Sequence, residues 1–154
     1  MTTRRMNIWQ TAPQLMKGMS GFQQAASAAG LDPVVAELVK IRASQINRCA
    51  FCLDMHVAEA REKGERQLRI DLLASWEEAG GLFTERERAA LALTEAVTEL
   101  TDGFVPDEVY ARAAAHFGEA EMAALLGQIV AINAWNRFNV AIRETPKSLE
   151  ASAS

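Results

Sequence analysis

Between Glu119 and Glu144 the chain carries Leu125, Leu126, Ile129, Val130, Ile132, Phe138, Val140 and Ile142 without a proline, which comes only at Pro146. The spacing predicts one long helix that is apolar on most of its sides. Such a helix needs neighbours nearly all round it. A chain of 154 residues can bury a single core, and part of the cover is expected from another subunit. The segment therefore argues for a helical, oligomeric protein.

The rest of the chain reads the same way. Asp32-Pro33 predicts an N-cap followed by the first helical residue, since proline lacks only a donor that the first turn leaves unpaired. Val34, Leu38, Ile41 and Ser44 continue that helix, and Asn47-Arg48 breaks it. A second helix carries Cys49 to Lys63, with Gly64 as the residue after its cap. A third runs from Glu65 to Trp76, ahead of Gly80-Gly81. Thr84 with Glu87 forms a capping box, and Ala89, Leu93, Val97 and Leu100 follow at helical period. Asp102-Gly103 ends that helix, and Pro106 opens another that Gly118 closes. No strand alternation or internal repeat stands out. The reading is all-α: one domain over 1–146 with six or seven helices, then a disordered tail over 147–154.

Composition narrows the function. Sixteen basic residues face 20 acidic ones, for a net charge of −4. With no basic cluster interleaved with aromatics, nucleic acid is not expected as a partner. Arg4-Arg5 is followed by Asn7, Gln10 and Pro13 rather than an apolar run, so no secretory signal is expected. No apolar stretch is long enough to span a bilayer. These readings make the cytoplasm the expected compartment.

The only two cysteines, Cys49 and Cys52, close too small a loop to contribute much stability. In a reducing compartment a close pair is more often redox-active or metal-binding than structural. With His56 they form a C-x2-C-x3-H cluster. Around a helix, Cys52 lies roughly 60° and His56 roughly 20° from Cys49, so all three share a face. An imidazole there can take a thiol proton, and the helix start favours the thiolate left behind. Arg48 adds positive potential. Three readings stay open on these residues: a redox dithiol, a zinc site with three protein ligands, and two cysteines that only pack. A thioredoxin-type motif lacks its βαβ surroundings here.

Glu37, separated by eleven residues from Cys49-x2-Cys52-x3-His56, completes a pattern that resembles the alkylhydroperoxidase-D-like branch of the carboxymuconolactone decarboxylase superfamily. The lead-in from Leu38 to Asn47, Trp76, the stretch from Phe83 to Leu91, and Ile132 to Arg137 extend the likeness over about residues 10–143. The resemblance implies a helical homotrimer or homohexamer with thiol-dependent hydroperoxidase activity and no cofactor or metal. It implies that Cys52 attacks the peroxide and becomes a sulfenic acid, and that Cys49 then condenses with it into a disulfide. His56 and Glu37 complete the proton relay, and a thiol or dihydrolipoamide-type reductant restores the pair. Two positions depart from the pattern. Founding members carry a histidine where this chain has Phe51, and many relatives carry glycine where it has Arg48. The rival readings are a non-catalytic redox-sensing or zinc-binding oligomer and a lactone decarboxylase; the dithiol counts against the last.

Other residues draw ordinary readings. His116 reads as a capping or surface residue. Asn133, Asn136 and Asn139 place amides on one side of the last helix, which suits bracing of loops or a subunit contact. Trp9, Trp76 and Trp135 read as core or interface, and Glu95 and Glu99 as a solvated face.

Overall fold

In a computed structural model that describes residues 3–152, Asn7, Pro13 and Asp32-Pro33 each open a helix. Helix α1 (Ile8–Thr11) is capped by the Asn7 carboxamide, and α2 (Pro13–Ala28) starts on its proline. Helix α3 (Pro33–Ile46) begins where the sequence predicts, with the Asp32 carboxylate accepting from the backbone N–H groups of Val34 and Val35. After α4 (Ala50–Glu62) and α5 (Gln67–Leu72), two short 3-10 turns lead to α6 (Glu85–Thr98), which opens on the Thr84–Glu87 capping box. Helices α7 (Asp107–Ala114) and α8 (Glu119–Ile142) follow, and α9 (Lys147–Ser152) closes the described chain.

The described residues thus form nine α-helices and no strand. That is an all-α fold with more pieces than the six or seven expected. The additions are α1, α2 and α9. The third predicted helix is α5, which ends at Leu72 and continues to Ser75 as a 3-10 turn rather than reaching Trp76 as one helix. The expected disorder from Lys147 is corrected over Lys147–Ser152, which is helical. There the Asp54 carboxylate of α4 accepts hydrogen bonds from the Ser148 backbone N–H and hydroxyl at 3.0 and 2.5 Å, giving the segment a fixed start. Ala153 and Ser154 lie outside the described residues. No described helix is long and apolar enough to cross a membrane.

The helix enclosed on every side is α3, not α8. Every residue from Val35 to Ile41 is buried. One of its faces carries Val35 and Val39 into a core with Leu93, Phe117, Leu125 and Ile129. Another carries Leu38 and Ile41 against Leu73, Trp76, Phe83 and Leu91. Helix α8 lies against α2, α3, α4 and α6, yet its Val130 and Val140 remain exposed. Glu95, read from sequence as solvated, instead accepts from Arg42 Nε and Trp76 Nε1 at 2.7 Å each, tying α6 to α3 and to the turn at Trp76.

The turn from α3 to α4 is held by amides. Asn47 Nδ2 donates to both Asn133 Oδ1 and Asn136 Oδ1 at 2.9 Å. Asn136, fully buried, donates in turn to Ser44 Oγ at 3.0 Å. Burying a carboxamide is costly unless its partners are present, so this network fixes α8 against the turn in one register. Replacing Asn136 with leucine (Asn136→Leu) removes two buried hydrogen bonds and is expected to lower stability by about 1–3 kcal/mol. Urea unfolding checks this, and an unchanged midpoint would show the network to be dispensable.

Candidate active site

Arg48 sits in the left-handed region with φ 55°, the conformation that explains why glycine is at home in this position. The turn it makes aims Cys49 at the start of α4, where its sulfur accepts from the Cys52 backbone N–H at 3.3 Å and so caps the helix. Cys49 and Cys52 are joined as a disulfide, with Cα atoms 5.3 Å apart, and both are buried. Asn139 of α8 donates its Nδ2–H to Cys52 Sγ at 3.4 Å. Two of the three spaced asparagines therefore brace the turn, as expected, while the third reaches the chemistry.

One turn after Cys52, His56 is buried with its Nδ1 between two carboxylates. Glu59 Oε2 lies at 3.2 Å and Glu37 Oε2 at 3.4 Å. Glu37 comes from α3, and its other oxygen is held by Lys40 at 2.9 Å and by Lys63, just past the end of α4, at 2.5 Å. Burial alone would raise the Glu37 pKa, but His56, Lys40 and Lys63 outweigh it and hold it at about 2. Burial and Lys40 push His56 down. Its contacts with Glu37 and Glu59 push harder, so its pKa rises above the usual 6.5. Glu59 is lowered, chiefly by His56. The two flanking carboxylates thus favour the protonated imidazole more than solvent does, as opposite charges nearby do.

Of the four residues singled out from sequence, Glu37 and His56 meet, and Cys49 and Cys52 are bonded. His56 makes no hydrogen bond to either sulfur. With Nδ1 engaged by carboxylates, Nε2 is the ring nitrogen without a carboxylate partner. Cys52 and His56 both line a cavity of about 920 Å³, walled also by Phe51, Met55, Trp135 and Lys40. Phe51 contributes an apolar wall where a histidine would contribute a proton carrier. Glu59, Lys40, Lys63 and Asn139 were not assigned to the site from sequence. The i, i+3 spacings Glu37–Lys40 and His56–Glu59 carry that signal, but such pairs are common on any helix.

Glu37, His56 and Glu59 offer ligand atoms within 4.8 Å of one another. The two ammonium groups on Glu37 Oε1 already neutralise that carboxylate, so this trio fits a proton relay better than a cation. The zinc reading needs thiolates, and paired sulfurs supply none.

The model of the carboxymuconolactone decarboxylase family matches residues 13–96. The chain belongs to this family. It is 38% identical over 140 residues to YdfG, an uncharacterized protein of Bacillus subtilis, spanning 91% of this chain and 95% of that one. It is 35% identical over 112 residues to YnjA, an uncharacterized protein of Escherichia coli, spanning 73% of this chain and 60% of that one. A crystal structure from Agrobacterium tumefaciens, of a protein of unknown function provisionally placed as the antioxidant defence protein AhpD, superposes with a TM-score of 0.90. It is 36% identical, with 94% of this chain and 98% of that one covered. The expected alkylhydroperoxidase-D-like fold is the fold found.

The charge arrangement sets a pH dependence. The raised His56 pKa adds stability that is full below pH 6.5 and is lost as pH rises through the folded value. Glu37 adds stability that is full above pH 4.5 and is lost as pH falls toward 2. NMR titration should find His56 above 6.5, returning toward it in Glu37→Gln. A His56 titrating below 6.5 would contradict the pairing.

Proposed function

We propose that the protein is a thiol-dependent peroxidase that reduces hydroperoxides through Cys49 and Cys52, with His56 and Glu37 as its proton relay. The observation that carries the reading is the shared cavity. Cys52 and an imidazole whose protonated form is favoured by the buried Glu37 and the half-buried Glu59 line the same space.

In the reduced protein, the Cys52 thiolate attacks the terminal oxygen of the hydroperoxide and the O–O bond breaks. The departing alkoxide takes the Nε2 proton of His56 and leaves as an alcohol. Asn139 Nδ2–H, now bonded to Cys52 Sγ, supports the thiolate before attack. Cys52 becomes a sulfenic acid. The Cys49 sulfur then attacks it, the S–O bond breaks, and water leaves as the disulfide forms. Two thiols of a reductant, or one dihydrolipoamide-type dithiol, return two electrons. Glu37, kept ionised by Lys40 and Lys63, holds His56 in its protonated form and orientation. No cofactor enters this cycle.

The same reading includes a homotrimer or homohexamer, to which the exposed Val130 and Val140 of α8 lend an apolar face. It also includes the cytoplasm, where a reducing pool keeps the cycle running.

Steady-state peroxide consumption with dihydrolipoamide tests the roles. Cys52→Ser should be inactive. His56→Ala should be slower by about 10²–10⁴, the usual range for acid–base help, and Glu37→Gln should lose less because it acts through the imidazole. His56→Ala turning over at the wild-type rate would overturn the relay. Stoichiometric zinc with no peroxide turnover would replace the enzyme by the metal-binding reading.

A further inference from the structure

The two cysteines of the disulfide line different cavities. Cys52 lines the 920 Å³ cavity with His56, and Cys49 does not. Cys49 instead lines a second cavity of about 600 Å³ that Cys52 does not reach. The two cavities adjoin, with Arg4, Phe51, Asn139, Glu144, Thr145 and Glu150 lining both. Phe51, where this chain departs from founding members of the family, is thus one of the residues that line both.

The second cavity is bordered by Arg48 and Arg143, by the Arg4–Glu144 ion pair and by Glu150. Arg48 and Arg143 are exposed, and both hold left-handed backbone conformations, at φ 55° and 57°. That region disfavours any residue with a Cβ, so arginine here costs backbone strain that glycine would not. Neither guanidinium has a hydrogen bond or ion pair among the described residues, whereas the neighbouring Arg4 is held by Glu144. An unpaired guanidinium offers a planar fork of donors suited to a carboxylate.

We propose that this second cavity admits the reductant, and that the reductant is a small thiol bearing a carboxylate. Its anionic group docks against Arg48 and Arg143 while its sulfur attacks Cys49. The hydroperoxide approaches Cys52 from the other cavity. The assignment rests on the peroxidase reading for the identity of the oxidant, but not for the docking site itself.

The chemistry suits the geometry. A thiolate attacks a disulfide along the S–S axis, from the side away from the leaving sulfur. Attack on Cys49 therefore comes from the side away from Cys52, and Cys49 lines the second cavity whereas Cys52 does not. A bond forms between the thiol and Cys49 Sγ, the Cys49–Cys52 bond breaks, and Cys52 leaves with the electron pair beside the Asn139 amide. A second thiol attacks the reductant's own sulfur in this mixed disulfide. Cys49 then leaves as a thiolate, capping α4 through the Cys52 N–H. Two thiols are oxidised to one external disulfide, one protein disulfide is reduced, and the two protons lost by the thiols are taken up by the cysteines.

The test isolates this half-reaction. Oxidised full-length protein, without peroxide, is mixed with thioglycolate or with neutral 2-mercaptoethanol, and the second-order rate constants are compared per thiolate. The variant Arg48→Gly/Arg143→Gly removes both charges at positions where glycine fits the backbone. The ratio of anionic to neutral rate constants should fall about fivefold to tenfold at low ionic strength, the size expected of two exposed unit charges. Arg48→Lys/Arg143→Lys should keep most of the ratio. A ratio that does not change in the glycine variant overturns the proposal. Should that variant fail to fold, acid-quenched wild-type protein serves instead. Thioglycolate mapped to Cys49 supports the assignment, and thioglycolate mapped to Cys52 overturns it. Charge-selective reduction in a protein that consumes no hydroperoxide would retract the peroxidase reading and leave the docking site standing.

Discussion

A carboxylate cannot be buried in a helical core without partners, and Glu37 is almost wholly buried at the centre of α3. Its two oxygens divide the work. One is neutralised by Lys40 and Lys63, and the other faces His56. Because Lys63 and His56 both belong to the α4 segment, the same ion pairs that satisfy the charge also fix α4 against α3. The position of Cys52 relative to its acid follows from that docking. Removing one partner would leave a buried charge exposed to the core, which is far more costly than the net worth of the pair.

The site is assembled from three elements, each placed by a different interaction. Helix α3 brings the anion. Helix α4, aimed by the left-handed turn at Arg48, brings the sulfurs and the imidazole. Helix α8 brings Asn139 to Cys52, in a register that the Asn47–Asn136–Ser44 network sets. A cavity then remains between α2, α4 and α8. Its walls join apolar Phe51, Met55 and Trp135 to the polar His56, Glu59 and Lys40, which suits an organic molecule carrying one polar end.

Much of this was legible in the sequence, because local signals coincide with the elements that matter. Asp32-Pro33, the Thr84–Glu87 box and Gly64 mark helix ends through hydrogen bonds that span only a few residues. The Cys49-x2-Cys52-x3-His56 spacing, with Glu37 ahead of it, marks four candidate residues that the fold pairs as Glu37 with His56 and Cys49 with Cys52. What escaped depends on contacts between distant segments. Helix α2 buries only Met16 and Ala26, too little for a clear apolar stripe. Helix α9 depends on Asp54, far away in sequence. Glu95 looked solvated because its partners, Arg42 and Trp76, lie on other elements. Lys63 and Asn139 join the site only once α4 and α8 are packed. Even the enclosed helix was misjudged: apolar content pointed to α8, whereas α3, with Glu37 and Lys40 in its middle, is the one surrounded.

The central claim is that the Cys49–Cys52 pair spends two electrons on each hydroperoxide and returns to the disulfide. Single-turnover stoichiometry tests this most directly. Fully reduced protein is mixed with one equivalent of an organic hydroperoxide, and thiols, alcohol product and disulfide are quantified together. The account predicts one alcohol formed and two thiols lost per protein, with all of the sulfur recovered as the Cys49–Cys52 disulfide. Thiols that persist while the hydroperoxide remains intact would contradict it.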